Sequence, residues 1–84
     1  MYTYKTKGTC SSFINFRMDE NHVITEVNFI GGCNGNLQGI SQLVTGMKAE
    51  EVIERLKGIQ CGFKPTSCPD QLATALKEWE ACQE

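Results

Sequence analysis

Polar and apolar residues alternate through the first third of the chain, and through the rest the apolar ones recur every three or four positions. The alternation starts in Tyr2-Thr3-Tyr4-Lys5-Thr6, where aromatic and polar residues take turns, predicting a short edge strand broken by Gly8. From Ser11 to Met18, Ile14, Phe16 and Met18 share one face while Phe13, Asn15 and Arg17 share the other, so a half-buried strand is expected. Val23 to Ile30 alternates again, with Val23, Val27 and Phe29 on one side. Asp19-Glu20-Asn21-His22 is short and polar enough to close an antiparallel hairpin, with His22 solvated at its turn.

Helical spacing begins at Leu37, runs through Ile40, Leu43 and Val44, and stops at Thr45-Gly46. A second helix, Ala49 to Lys57, turns Val52, Ile53 and Leu56 inward. It carries Glu50 and Glu51 where the helix dipole favours negative charge, and Gly58 caps it. Pro65 stiffens the connection that follows. The last helix, from about Ser67 to Gln83, aligns Leu72, Ala73, Leu76 and Trp79. Its start is well marked. Thr66 and Ser67 can accept bonds from the free N–H groups of a first turn, Pro69 tolerates having no N–H there, and Asp70 suits the positive end of the dipole.

Strands first and helices after predict an α+β domain: a small antiparallel sheet, made of the N-terminal hairpin plus an edge strand, covered on one face by about three helices. With 84 residues and no repeat or linker, residues 1–84 make one domain. A formal net charge of −2 leaves no basic footprint, which argues against DNA or RNA as a primary partner and against an anionic membrane surface. No charged-then-apolar leader follows Met1, and no apolar run approaches the roughly 18 residues of a spanning helix, so the cytoplasm is the expected compartment.

Five cysteines, at positions 10, 33, 61, 68 and 82, are many for such a chain, and their odd number leaves at least one outside any set of intrachain disulfides. Cys10 precedes the hairpin, Cys33 follows it, Cys61 follows the middle helix and Cys68 starts the last one. Element ends of this kind can meet at one pole of a layered domain. Four converging sulfurs would suit zinc, or iron in a cluster, and for a core that supplies only about 3–5 kcal/mol the metal would matter to folding. Two alternatives stay open. At a helix N-terminus, donors and dipole favour a thiolate, so Cys68 could attack a disulfide with Cys61 as the resolving thiol. The cysteines could also be inert packing, since no pair has the Cys-x-x-Cys spacing of a zinc ribbon. Cys82 either packs on the helix stripe or has no role.

A further candidate is the turn Gly31-Gly32-Cys33-Asn34-Gly35-Asn36. The backbone amides of Gly31, Gly32, Asn34, Gly35 and Asn36 could face an anion or nucleotide, with Lys48 or Lys64 as a nearby charge. It matches neither the dinucleotide fingerprint nor a P-loop, and a plain strand-to-helix turn is the simpler expectation.

Thr66-Ser67-Cys68-Pro69-Asp70 resembles the motif that names the TSCPD domain. The resemblance continues through Gly8-Thr9-Cys10, Glu26-Val27, Gly31-Gly32-Cys33, the stretch from Leu56 to Cys61, and Gln71-Leu72-Ala73, and so spans nearly the whole chain. The family includes small stand-alone proteins of this length and a C-terminal domain of adenosylcobalamin-dependent ribonucleotide reductases. The resemblance implies that Cys10, Cys33, Cys61 and Cys68 occupy the family's cysteine positions, and Cys82 does not. It also implies a link to nucleotide reduction. Eighty-four residues are too few to enclose a radical site and its cofactor, so the expected role is accessory: a metal-stabilised module that binds a ribonucleotide reductase, another protein or a nucleotide.

Overall fold

A computed structural model describes residues 2–8, 11–32, 34–60, 62 and 65–83, and of Asn34 and Gln83 the backbone alone. Among these residues the order is β1 (Tyr2–Lys5), β2 (Ser11–Met18), β3 (Ile24–Gly31), α1 (Asn34–Val44), α2 (Ala49–Leu56) and α3 (Cys68–Gln83). The strands form one antiparallel sheet in the order β1-β2-β3. This is the expected α+β architecture, with β1 as the edge strand. The face bearing the cross-strand pairs Tyr2–Phe16, Tyr4–Ile14, Phe16–Val27 and Ile14–Phe29 meets the helices, while Phe13 and Ile30 pair on the open face. Ile14, Phe16, Ile24, Val52, Leu72 and Leu76 are fully enclosed and form the centre of the core.

The hairpin turn is held by Asp19. Its carboxylate accepts from the N–H groups of Asn21 (2.8 Å) and Val23 (2.9 Å), a local arrangement that aspartate favours over regular structure. His22 keeps 46 % of its side chain exposed at the turn, as expected, and makes contacts besides. Its φ is 62°, its ring meets Trp79 edge-on at 4.8 Å, and Nδ1 lies 3.6 Å from Glu80, so the turn docks on α3.

In two places the sheet departs from strict alternation. Arg17 pairs with Glu26 but Met18 pairs with Ile24, leaving Thr25 as an extra residue. Such a bulge reverses the faces on either side of it. Ile24 is therefore buried with Val27, in place of the Val23 expected; Val23 instead bridges to Lys48. The second irregularity, between Ser11 and Phe13, turns Ser11 into the interior. Helix α1 also starts earlier than its apolar spacing predicted, at Asn34. Gly35 and Asn36 are thus helical, and the supposed turn shortens to the residues before 34. The helix carries its own polar bonds, from Ser41 Oγ to the Leu37 carbonyl and from Thr45 Oγ1 to the Ser41 carbonyl.

Candidate functional site

At the end of the domain where β2 begins and β3 finishes, the start of α3 is fastened to the ends of other elements by buried and half-buried polar bonds. Ser67 is the N-cap: its hydroxyl accepts from the Asp70 N–H (3.1 Å) and its carbonyl from the Gln71 N–H (2.8 Å). The same hydroxyl donates to the Ile59 carbonyl at 2.6 Å, so one side chain caps α3 and binds the segment leaving α2. Asp70 extends this link. One carboxylate oxygen accepts from the Gly58 N–H at 2.6 Å, and the other accepts from the Thr66 hydroxyl. Gly58, at φ +82°, follows the C-cap Lys57 of α2, and its N–H turns outward to Asp70 instead of back into the helix.

Gln71 ties in the other side. Its carboxamide oxygen accepts from the Lys7 N–H (3.0 Å), and its Nε2 donates to Thr66 Oγ1 (3.1 Å). This links the exit of β1 to α3. The neighbouring Gly8, at φ +73°, runs so close that an added Cβ would stand 3.3 Å from Thr66 Cγ2. The loop it belongs to is closed by the Thr6 hydroxyl donating to the Ser11 carbonyl and the Thr6 N–H donating to the Ser12 carbonyl. Tyr4 lies beside this pole, where burial pushes its phenol above the usual value and the carboxylates of Glu78 and Asp70 add to the effect. Among the described residues, every buried side-chain nitrogen and oxygen has a hydrogen-bond partner.

Cys68 opens α3 inside this clasp. Only 7 % of its surface is exposed, and its Sγ lies 3.1 Å from Ser11 Oγ, with either group able to donate. Ser11 in turn is the register partner of Gly31. Cys82 is exposed and stands fourteen residues further along α3, about 21 Å away at the usual helical rise, so it does not reach this pole. It does not join the packed stripe either. Cys10, Cys33 and Cys61 lie outside the described residues, as does Lys64. Among the described residues no cluster of three or more metal-ligating side chains occurs.

The glycine-rich segment has a different setting. Gly31 ends β3, Gly32 follows it, and Asn34, Gly35 and Asn36 form the first turn of α1. Gly31, Gly32 and Gly35 line an open groove of about 860 Å³ between β3 and α1, whose other described polar walls are Asn28, Gln38, Ser41 and Gln42. No lysine or arginine is among its described lining residues. Lys48 sits beside Val23, at the opposite end of β3.

The family model for the TSCPD domain matches residues 2–80. The chain belongs to the TSCPD-domain family. Its membership makes it a domain related to ribonucleotide reductase. No curated protein and no solved structure matches it. All five residues of the TSCPD motif are engaged locally. Thr66 links Asp70 to Gln71, Ser67 caps the helix, Cys68 is buried against Ser11, Pro69 occupies a first-turn position that needs no donor, and Asp70 holds Gly58. Ser11 and Gln71 are the participants that sequence reasoning missed. Gln71 could have been found, because it lies one helical turn before the inward position next to Leu76 and on the same side of α3 as Leu72, where a polar residue stands out. Ser11 could not, because its orientation depends on the bulge. Among the described residues no helix is long and apolar enough to cross a membrane.

Proposed function

We propose that this TSCPD domain is a non-catalytic accessory module in which Cys10, Cys33, Cys61 and Cys68 hold a structural metal ion, zinc in preference to an iron–sulfur cluster. The observation that carries the reading is the Ser11–Cys68 contact. It brings the residue next to Cys10 against Cys68, and Ser11 pairs with Gly31, two residues before Cys33. Cys61 has the same support: Ile59, two residues before it, accepts from Ser67, the neighbour of Cys68. Consecutive Cα atoms are about 3.8 Å apart, so each of the three thiols is on a short tether from the surroundings of Cys68.

The chemistry of the donors fits. Four thiolates suit tetrahedral zinc, and a hydroxyl beside Cys68 Sγ can donate to a metal-bound sulfur. When bound, the metal would supply cross-linking energy on the order of 10 kcal/mol to a small core, comparable with the whole net stability of an ordinary domain. The chain's own residues would orient the sulfurs. The Ser67 cap and the Asp70 and Gln71 bonds fix the first turn of α3, and the closed loop at Thr6 fixes Ser11. The module would act by binding a ribonucleotide reductase or another protein.

The adjacency of the Ile59 and Ser67 segments also suits a second reading, a thiol–disulfide shuttle. Here the Cys61 and Cys68 thiols would be oxidised to a disulfide while a partner's disulfide takes up the two electrons and two protons. Burial of Cys68 favours the metal, because exchange needs an accessible sulfur. Metal analysis of untagged protein purified without added metal tests the proposal: one zinc per chain is expected, lost in Cys68→Ser. Wild-type protein without stoichiometric metal would remove it.

A further inference from the structure

Away from the clasp, α1 packs on β3 and α2 on α3, and an apolar hollow of about 500 Å³ opens between the two helices. Val44 and Val52, both buried, lie at its base, and Ile40, Met47 and Leu56 line it half-buried. Leu43 stands at its margin with 76 % of its surface exposed. A leucine left in water forgoes the gain that burial would supply, and it does so beside an unfilled apolar hollow. Glu51 and Arg55 border the same hollow from α2, one helical turn apart and both exposed. Among the described residues neither takes part in an ion pair.

We propose that this face pairs with its equivalent on a second copy of the chain about a twofold axis. A projecting side chain next to a hollow on one patch is self-complementary, which is what a twofold interface requires. Leu43 of each copy enters the hollow of the other. With the two α2 helices antiparallel, Glu51 of each copy faces Arg55 of the other, so two opposite charges one turn apart are both matched. An unrelated amphipathic helix would have to bring the inverse charge order. An anionic lipid surface is opposed by Glu50, Glu51 and Glu54 along α2.

Sedimentation equilibrium from low micromolar to several hundred micromolar protein tests the pairing, with circular dichroism to check that each variant is folded. Wild type is expected to approach the dimer mass at the upper end, and Leu43→Glu to remain monomeric throughout. Glu51→Arg sets like charges against Arg55 of the other copy and should weaken association about tenfold, equivalent to roughly 1.4 kcal/mol. The double variant Glu51→Arg/Arg55→Glu should recover most of the loss. Wild type that stays monomeric, whatever else the hollow accepts, overturns the proposal. So does a dimer that survives Leu43→Glu, or a charge reversal that the double variant fails to rescue.

Discussion

The pole at the start of α3 and the hollow between α1 and α2 are built on opposite principles. At the pole, polar side chains are buried or half-buried and satisfied: Ser67, Asp70 and Gln71 reach the segment after α2 and the exit of β1 through directional bonds. At the hollow, apolar side chains are left exposed, and the neighbouring helices share little contact. Directional bonds fix geometry to a fraction of an ångström, which suits the proposed metal site, whose thiols would have to converge. An unfilled apolar face fixes nothing within the monomer and gains only when something covers it. The two regions should therefore respond differently to perturbation.

The largest effect expected of the proposed metal site would follow removal of its ion. Stripping it with a strong chelator should destabilise the domain on the order of 10 kcal/mol, so the far-ultraviolet circular dichroism should collapse to that of an unfolded chain. A chelated protein with unchanged thermal unfolding would break the link between the pole and folding. Next comes Asp70→Ala, which leaves the Gly58 N–H and the Thr66 hydroxyl without their acceptor. Part of the loss is recovered from water at the exposed Gly58, so about 2 kcal/mol in urea unfolding is expected. Ser67→Ala removes the N-cap and the bond to the Ile59 carbonyl together, and should cost about 1.5–2 kcal/mol.

Tyr4 gives a pH test of the same pole. Its phenol is held above the ordinary value in the folded state, so once the pH passes about 10 the unfolded chain gives up its proton first. The folded state then binds more protons, and stability present below that pH falls as the pH rises through the folded value. Spectrophotometric titration should find one tyrosine ionising late, and Tyr4→Phe should abolish that component. The smallest effect belongs to the hollow. Leu43→Glu should leave unfolding free energy, extrapolated to zero protein concentration, within about 0.5 kcal/mol of wild type.

Much of the fold could be read from the sequence because its signals are local. Alternation in residues 13–18 and the Ser67-Cys68-Pro69-Asp70 start of α3 depend on neighbouring residues alone, and the structure bears both out. The errors lie where a longer-range constraint overrode the pattern. Ile24 rather than Val23 is buried because Thr25 is extruded as a bulge, and the adjacent polar pair Thr25-Glu26 between Ile24 and Val27 was the available sign. The first turn of α1 contains asparagines and a glycine, weak helix formers whose helical state no apolar spacing announces. For the site, Cys68 was legible from its helix start, and so was the separation of Cys82. The role of Ser11 was not, since a serine's orientation follows from strand register across the sheet, and register is a property of two strands together.

X-ray absorption at the zinc edge tests the proposed site most directly. With protein purified untagged and without added metal, four sulfur scatterers at about 2.3 Å are expected around zinc in the wild type, and no zinc signal in Cys68→Ser. Absence of metal from the wild-type protein, or a shell dominated by nitrogen and oxygen, would contradict the account.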